Sequence, residues 1–437
     1  MTATLTRPPA PTAGHVRTLS AATAGNVLEW YDWTVYASMA VFFSPLIFPG
    51  DGLGPLLKSL LVFAAGFFMR PLGGLLLGAF ADRYGRRAAL TASITLMGAG
   101  SAAMALCPTY AAAGLFAPLA LLLARLAQGL SLGGEIGVSS TYLAEHAPPR
   151  RRGLYSSIYY MGTALGLLLA SAVTSTLTST LDKAQMSAYG WRIAFGIGAL
   201  GALAGWWVRR QATEPEAFGQ AARAEREPRG SLRQVLRRHP GAAARIFGWT
   251  VAATLTFYTF ASYFPTYVSL ATGMPLSRAA LANTLALAVF FLLQPVFGRL
   301  SDAVGRRPLL LASAGGVGAL AVPALLWLRA GHTFAVVLAI ELVMLALFGL
   351  YSAIAPVVMA EQLPTEVRAV GIGCPYNLAV AAFGGTAPYL LTWLHGHGAD
   401  LAYFGYLAVA GLVSALVVAW WTPETRGRSL TREGQLA

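Results

Sequence analysis

Long apolar runs alternate with short polar breaks along almost the whole chain of 437 residues. A run of roughly 20 apolar residues is long enough to cross the hydrocarbon core of a bilayer as a helix. The pattern predicts twelve such helices, at residues 21–46, 58–80, 88–107, 114–144, 153–178, 191–208, 245–270, 279–299, 308–328, 334–360, 369–394 and 402–421. We therefore predict an all-α integral membrane protein with twelve transmembrane helices.

The predicted helices fall into two groups of six, which a charged and proline-containing segment separates. We predict an N-terminal half at residues 21–208, a linker at 209–244 and a C-terminal half at 245–421. The polar stretches at 1–20 and 422–437 are predicted to be tails. Within the linker, residues 231–238 are predicted to form a short surface helix, because this segment is too charged to cross a membrane.

A repeated motif supports the division into two halves. The pattern G-x-x-x-D-x-x-G-R-R occurs at residues 78–87 and again at 298–307, between corresponding pairs of predicted helices. A polar, arginine-rich motif cannot lie in hydrocarbon, so we expect each copy to form a surface loop. The aspartate of such a loop caps a helix or pairs with arginine, and its second glycine permits a tight reversal. Two copies predict two pseudo-symmetric halves.

The composition and the distribution of charge exclude a soluble protein. Charged residues make up 11% of the chain, whereas soluble proteins carry about 25%. Of the 31 Lys and Arg residues, 24 fall on the side of both predicted termini and five on the other side. By the positive-inside rule, both termini and both motifs are predicted to be cytoplasmic. The net charge of +13 therefore predicts a membrane topology and not a nucleic-acid surface.

A few ionisable residues lie inside the predicted helices, where a charge is costly and is a functional candidate by default. They are Glu29, Asp32, Arg70, Arg125, Glu135 and Glu341. A guanidinium group offers a planar, permanently charged fork for a substrate carboxylate, so Arg70 and Arg125 are candidate anion ligands. A carboxylic acid in a low-dielectric cavity has its protonation shifted upward, so Glu29, Asp32 and Glu135 are candidate proton carriers. The alternative is that these charges only neutralise one another, for example Asp32 with Arg70 or Arg125.

Several uncharged polar side chains are further candidates for the lining of a central cavity. They are Tyr36, Gln128, Tyr159, Tyr258, Tyr263, Asn283, Gln294, Tyr351 and Asn377. We include Tyr36, Gln128, Tyr159, Tyr258 and Asn377 in the predicted substrate site. The alternative for each is a purely structural contact between helices.

The sequence lacks the patterns of an enzyme. It has no nucleophile–base pair, metal cluster or nucleotide-binding loop that stands out, and its two cysteines, Cys107 and Cys374, form neither a disulfide framework nor a metal site. We therefore predict a protein that is not an enzyme and binds no metal. A sensor without transport activity is also disfavoured, because the linker is too short for an output domain.

The repeated motif at 78–87 and 298–307 resembles that of the major facilitator superfamily. Further stretches resemble its metabolite:proton symporter family and, within that family, the α-ketoglutarate permeases. They are residues 25–32 (GNVLEWYD), 69–73 (MRPLG), 125–135 (RLAQGLSLGGE), 190–193 (GWRI), 257–260 (FYTF) and 367–373 (VRAVGIG). Glu341 departs from what an anion carrier is expected to contain.

The resemblance implies a monomeric symporter of a bacterial inner membrane that imports a dicarboxylate with protons by alternating access. It implies no cofactor beyond the proton gradient, and no partner beyond the organic anion, protons and the lipid bilayer. The motif residues would then form and break the ties that gate the conformational change: Asp82, Arg83, Gly85, Arg86, Arg87, Asp302, Gly305, Arg306 and Arg307. Other cargoes, namely shikimate, citrate, an aromatic acid, betaine or proline, stay open, and so does export.

Overall fold

The structure is a computed structural model, which describes residues 13–84, 86–133, 140, 147–211 and 232–428. Within these ranges, side chains are described except at 13–24, 75, 78–79, 81–84, 86–90, 208–211 and 366. Glu135 and Gly85 therefore lie outside the described residues, as do the side chains of Asp82, Arg83, Arg86 and Arg87.

The described residues of the N-terminal half include six long helices. They are α1 (Ala13–Ile47), α2 (Gly54–Tyr84), α3 (Arg86–Ala105), α4 (Phe116–Leu132), α5 (Arg152–Thr180) and α6 (Trp191–Gln211). Short helical segments precede α4, α5 and α6, at Tyr110–Ala113, Pro149–Arg151, Lys183–Gln185 and Met186–Gly190. The linker contains the short helix Leu232–Arg238, close to the predicted 231–238.

Six further helical elements form the C-terminal half, and several of them are interrupted. Helix α7 runs through Pro240–Thr256, the π-helical stretch Phe257–Tyr263 and Phe264–Thr272. Helices α8 (Leu276–Val304) and α9 (Arg307–Ala330) are continuous, and α10 comprises Phe334–Ser352 and Ala355–Glu361. After the turn Thr365–Val367, α11 comprises Arg368–Ala379, the π-helical Val380–Gly384 and Ala387–Gly396, and α12 is Asp400–Trp421.

Each of the twelve predicted spans thus corresponds to a helix or an interrupted helix. Among the described residues, six segments are long and apolar enough to cross a membrane: Gly54–Gly74, Pro149–Thr180, Leu276–Val304, Arg307–Ala330, Phe334–Glu361 and Asp400–Trp421. For the predicted span 114–144, the structure describes Phe116–Leu132 as helix, and most residues from 134 to 146 lie outside the described part.

Some expected boundaries were wrong. Helix α1 begins at Ala13, ahead of the predicted start at residue 21. The repeated motif was expected to be a loop, but α8 continues through it to Val304 and α9 begins at Arg307. Only Gly305 and Arg306 connect these two helices, and Gly305 has a φ of 109°, which favours glycine. Arginine side chains can reach the aqueous interface from a helix end, so a charged motif does not require a long loop.

Close helix contacts hold α2 against α4. A Cβ atom at Gly129 would overlap the carbonyl oxygen of Gly66, and one at Gly133 would overlap the carbonyl oxygen of Arg70. Glycine at such crossings lets backbones approach closely in a membrane, where dispersion contacts replace the hydrophobic effect. This packing places Arg70 of α2 next to the helix that carries Arg125.

Helix α1 is fixed between neighbours by hydrogen bonds on two sides. The Asn26 side chain donates to the carbonyl oxygen of Tyr159 on α5 at 3.0 Å. The Tyr31 hydroxyl donates to the carbonyl oxygen of Ala194 on α6 at 2.8 Å. These bonds set the rotation of α1 and, with it, the direction in which Asp32 points.

Candidate functional site

Arg70 lies within α2, with 2% of its surface exposed. Its guanidinium carbon lies 4.2 Å from the ring centre of Phe67, 4.9 Å from that of Trp33 and 5.8 Å from that of Trp30. These cation–π contacts compensate part of the cost of burying the charge. They leave part of the hydrogen-bonding capacity of Arg70 unused, because Nε and Nη2 have no hydrogen-bond partner among the described residues.

Arg125 of α4 is fully buried and packs against the same aromatic cluster. Its guanidinium carbon lies 3.9 Å from the ring centre of Trp33 and 4.1 Å from that of Tyr36. Nη1 donates to Oε1 of Gln128 at 2.7 Å, while Nε and Nη2 have no hydrogen-bond partner in the described part of the chain. The two arginines therefore share the Trp33 ring, and each presents unsatisfied donors.

A short hydrogen-bond chain joins Arg125 to the buried Asp32. Gln128 donates from Nε2 to Oγ of Ser101 at 3.0 Å and, more weakly, to Oδ2 of Asp32 at 3.4 Å. Ser101 in turn donates to the same oxygen of Asp32. Among the described residues, Asp32 forms no direct ion pair with Arg70 or Arg125, and its link to Arg125 runs through Ser101 and Gln128. We call Asp32, Arg70, Ser101, Arg125 and Gln128 the arginine site.

The arginine site is suited to an anion with more than one acceptor oxygen. Two permanently charged guanidinium groups and one carboxyl group leave the cluster with an excess of positive charge. A buried N–H without an acceptor costs free energy, which a bound carboxylate would recover by accepting bidentate hydrogen bonds. The free Oδ1 of Asp32 also has no hydrogen-bond partner among the described residues, so it offers a place for a proton next to the anion.

Aromatic residues of the two halves meet beside Arg70. Trp30 of α1 packs on Phe257 with a ring separation of 4.9 Å, and Phe67 of α2 packs on Tyr258 at 5.0 Å. A cavity lies at this junction. It is lined by Trp30, Tyr160, Thr250, Thr254, Phe257, Tyr258, Phe348, Tyr351 and Tyr376. The π-helical stretch of α7 thus supplies the wall of the cavity from the C-terminal half, and π-helical turns often occur at functional sites.

The predicted uncharged site residues have different places. Tyr258 lines the cavity, and Gln128 belongs to the arginine site. The Tyr36 ring covers Arg125, but its hydroxyl is bonded to Ser59 of α2. Asn377 of α11 donates to the carbonyl oxygen of Gly133 at 3.2 Å and so bridges the halves.

Tyr160, and not Tyr159, is among the residues that line the cavity. The Tyr160 hydroxyl faces that of Tyr376 on α11, at 3.5 Å. A signal for this existed in the sequence, since Tyr160 continues the buried small and polar face of α5 formed by Ser156, Ser157, Thr163 and Ala164. Tyr159 lies beside this face and contacts Tyr160 edge to face at 5.4 Å.

The other predicted carboxyl groups do not all lie at the arginine site. Glu29 is buried on α1, one turn before Asp32. Glu341 is buried in the C-terminal half on α10, where it accepts a hydrogen bond from Asn283. Among the described residues, no group of three or more His, Cys, Asp and Glu side chains is arranged to hold a metal ion.

The second copy of the motif ties the two halves together at one end of the bundle. Asp302 of α8 accepts hydrogen bonds from the backbone N–H groups of Gly153, at 2.8 Å, and Leu154, at 3.0 Å. These groups lie in the first turn of α5, where a carboxylate is favoured by the helix dipole. Arg306 holds Asp302 in place from the same half, with Nη1 2.8 Å from Oδ1.

Glu361 extends this contact. Its carboxylate lies 3.6 Å from Nε of Arg306 and 3.9 Å from Nη1 of Arg152, so it touches arginines of both halves. The Thr425 hydroxyl, from the segment after α12, donates to Glu361 at 2.6 Å. We call Asp302, Arg306, Glu361, Arg152 and the first turn of α5 the gate cluster.

Glu424 and Thr425 were not predicted to be part of any site. Partial burial opposes ionisation of Glu424, but four backbone N–H groups outweigh this effect and hold the Glu424 pKa below its ordinary value. Two of them belong to Arg306 and Arg307 at the start of α9, at 2.9 and 3.0 Å. The segment after α12 therefore caps α9 beneath the gate cluster.

The halves also touch toward the opposite end. Ser171 of α5 donates to the carbonyl oxygen of Ala280 on α8 at 3.0 Å, and Thr284 donates to Ser171 at 2.9 Å. Between the two ends, Gly385 of α11 lies directly against the Phe67 ring. Among the described residues, the halves therefore touch each other toward both ends of the bundle and also beside the arginine site.

Comparison with known proteins agrees with this architecture. The sequence profile of the Major Facilitator Superfamily matches residues 27–374 and 249–435. The chain is 40% identical over 399 residues to the alpha-ketoglutarate permease of Escherichia coli strain K12, and the match covers 91% of each protein. It is 30% identical over 427 residues to the proline/betaine transporter of Salmonella typhimurium, covering 95% of this chain and 84% of that protein.

A second E. coli protein, the inner membrane metabolite transport protein YhjE, is 34% identical over 425 residues, with 95% of each chain covered. Among solved structures, a D-xylose-proton symporter superposes with a TM-score of 0.72 at 21% identity, covering 95% of this chain and 99% of that one. The similarity to this structure concerns the fold, and it confirms the predicted twelve-helix architecture in two halves.

Proposed function

Because the chain belongs to the Major Facilitator Superfamily, we propose that it is a proton-coupled symporter that imports a small organic anion, a dicarboxylate such as α-ketoglutarate, by alternating access. Its relatives are membrane transporters and not enzymes, so transport itself is the activity of the chain. The cargo, the coupling ion and the direction of flux are what we propose here.

One observation carries the proposal: two buried arginines with unused donors share an aromatic ring beside a buried carboxyl group. Each guanidinium group would bind one carboxylate of the cargo through paired hydrogen bonds. A cargo with two carboxylates would then engage both arginines, which lie on different helices, α2 and α4. A monocarboxylate would leave one of the two arginines unsatisfied, at a cost in free energy.

Proton coupling is assigned to Asp32. Its carboxyl group reaches Arg125 through Ser101 and Gln128, so its charge and the anion are linked electrostatically. A bound anion lowers the local positive potential and favours the protonated acid, whereas release of the anion favours release of the proton. Arg125 and Gln128 form the link that couples the proton to the cargo. Glu29 and Glu135 remain further candidates for the proton carrier.

Alternating access requires the halves to separate at one end while they stay closed at the other. The gate cluster joins the halves at one end, so it is one of the contacts that must break there. The arginine distribution predicts that this end and both termini are cytoplasmic, so opening of the gate cluster would release the cargo into the cell. The first motif copy, with Asp82, Arg83, Gly85, Arg86 and Arg87, is proposed to act in the corresponding way. We further propose that the monomer in an inner membrane is the working unit and that protons are the only coupling ligand.

A zwitterion such as betaine or proline is a second candidate cargo. The similarity to a proline/betaine transporter favours it, and aromatic faces attract quaternary ammonium groups. In this chain, however, guanidinium groups already cover the faces of Phe67 and Trp33. The dicarboxylate is therefore the better-supported cargo.

Counterflow with purified protein in liposomes tests the choice of cargo. Vesicles loaded with unlabelled α-ketoglutarate, shikimate, citrate, betaine or proline are diluted into labelled α-ketoglutarate. We expect exchange with internal α-ketoglutarate and little with betaine or proline. The same experiment is repeated with labelled betaine outside. Uptake of labelled betaine into betaine-loaded vesicles, without uptake of labelled α-ketoglutarate into any of the loaded vesicles, would reject the proposed cargo and leave the transporter family unaffected.

A further inference from the structure

Glu341 is a buried carboxyl group that belongs to neither the arginine site nor the gate cluster. It lies on the first segment of α10 and is fully buried. Its Oε1 accepts a hydrogen bond from Nδ2 of Asn283 on α8 at 3.2 Å. Its Oε2 has no hydrogen-bond partner among the described residues.

Asn283 also connects Glu341 to the wall of the central cavity. The same amide nitrogen donates to the carbonyl oxygen of Phe260 at 3.1 Å, within the π-helical stretch of α7. That stretch carries Tyr258, and α10 carries Phe348 two turns after Glu341; both line the cavity. A change in charge at Glu341 would therefore act on two elements that line the central cavity.

The described surroundings of Glu341 contain no cation to balance a carboxylate. The charged groups on the helices packed against it lie toward helix ends: Arg278, Arg299 and Asp302 on α8, Arg307 and Arg329 on α9, Arg245 on α7 and Glu361 on α10. Its titratable neighbours on α7 are Tyr258, Tyr263 and Tyr267, of which Tyr263 bonds to Thr392 and Tyr267 to Asp400. By contrast, Glu361 lies beside Arg306 and Asp400 beside Arg329.

An ionised carboxylate in this place would be far more costly than a neutral carboxylic acid. The neutral acid carries its proton on one oxygen and accepts the Asn283 hydrogen bond with the other, which matches the observed single partner. When the helices separate and water reaches the pair, hydration removes the penalty and the acid can lose its proton to water. Occluded and open states thus favour different protonation states of Glu341.

We propose that Glu341, held by Asn283, is a second proton-binding site of the transporter, in the C-terminal half. A proton is taken up from water on one side, forms the O–H bond of the carboxyl group, and is returned to water on the other side. This inference rests on the proposed symport of a dicarboxylate, and it gives that symport its stoichiometry. A cargo with two negative charges, one proton at the arginine site and one proton at Glu341 together move no net charge.

Infrared spectroscopy of the purified protein tests the protonation directly and needs no cargo. The Glu341→Gln variant keeps the size of the side chain and an acceptor for Asn283, so we expect it to fold. The spectrum of the wild type should contain a carboxylic C=O stretching band at neutral pH that the variant lacks. Identical spectra in this region would overturn the proposal, even if transport of α-ketoglutarate were never observed.

Accumulation in proteoliposomes tests the coupling. With the membrane potential clamped at zero and an inward gradient of about one pH unit, two protons per cargo support about 100-fold accumulation and one proton about 10-fold. We expect the higher value for the wild type and for Glu341→Asp, which keeps a carboxyl group, and the lower value for Glu341→Gln. A wild type that does not accumulate dicarboxylate would reject the proposed function; a Glu341→Gln variant that equals an accumulating wild type would reject the second proton site alone.

Discussion

The carboxylate of Asp302 accepts a hydrogen bond from the backbone N–H of Gly153 at 2.8 Å, across the boundary between the two halves. The acceptor belongs to the second copy of the repeated motif, and the donor belongs to the first turn of α5. No side chain is needed on the donor side, so the bond depends on the position of a helix end rather than on a particular residue. Such a contact breaks when α5 moves relative to α8.

Replacement of Asp302 by Asn should favour opening at this end. The variant loses the charge and one of two acceptor oxygens, and hydrogen bonds to charged groups contribute about 1.5–3 kcal/mol each. We expect the population open at the gate cluster to rise by about tenfold or more. Spin labels at Arg150 and Val304, in a background without the two native cysteines, would measure the distance between the halves.

The exposed Arg299, one turn before Asp302 on α8, offers a matched control. Arg299→Gln should leave the distance distribution unchanged. An unchanged distribution for Asp302→Asn as well would show that this contact does not hold the halves together.

Replacement of Arg70 should remove anion binding while the protein stays folded. Arg70→Ala deletes a buried guanidinium group with two free donors, so we expect at least a ~100-fold weaker affinity for α-ketoglutarate. Arg70→Lys keeps the charge but loses the planar fork, and we expect a loss of about tenfold. Calorimetric titration measures both, with the exposed Arg278→Gln as control. Wild-type affinity in a folded Arg70→Ala protein would disprove the anion site.

Gly129 offers a test of the contact between α2 and α4. A methyl group there would overlap the backbone of Gly66, whereas one at Gly196, in the helix α6, meets no atom within 4 Å. We expect Gly129→Ala to destabilise the protein by about 1–3 kcal/mol and Gly196→Ala to be neutral or slightly stabilising. Thermal unfolding in detergent compares the two variants. Equal Tm values would mean that this close approach does not matter for stability.

Glu424 should make a pH-dependent contribution to stability. Its pKa in the folded protein is held below its ordinary value of 4.5. The contribution is therefore complete above that value and is lost as the pH falls through the lower, folded pKa. Because the side chain is exposed, we expect at most about 1 kcal/mol after screening by solvent.

Comparison with Glu424→Gln isolates this effect from those of other carboxyl groups. The wild type should be the more stable protein at neutral pH, and the difference in Tm should shrink as the solution is acidified below pH 4.5. If the difference in Tm does not change with pH, it arises from the packing of the Glu424 side chain and not from its charge.

The twelve helices and the two halves were predictable because each follows from a local or periodic property of the sequence. Apolar runs long enough to cross a bilayer predict helices, and the copies at 78–87 and 298–307 predict pseudo-symmetry. The π-helical stretches Phe257–Tyr263 and Val380–Gly384 were not predictable, since a shift from i+4 to i+5 bonding leaves no distinct sequence pattern.

The charged part of the arginine site was predictable, because Arg70, Arg125 and Asp32 interrupt apolar helices. Ser101 was not, since a serine in a helix is common and its contact with Asp32 depends on how α3 packs against α1. The choice of Tyr159 over Tyr160 reflects the difficulty of assigning a helix face to one of two adjacent residues. Glu424 was missed because it lies in a predicted polar tail, and the sequence of this tail does not indicate that it packs against the start of α9.

Uptake of labelled α-ketoglutarate into proteoliposomes, measured with and without an inward proton gradient, tests proton-coupled import of the dicarboxylate. We expect accumulation above the external concentration only when the gradient is present, and we expect a protonophore to abolish it. Accumulation that is insensitive to the protonophore, or none at all by folded protein, would contradict proton-coupled dicarboxylate import.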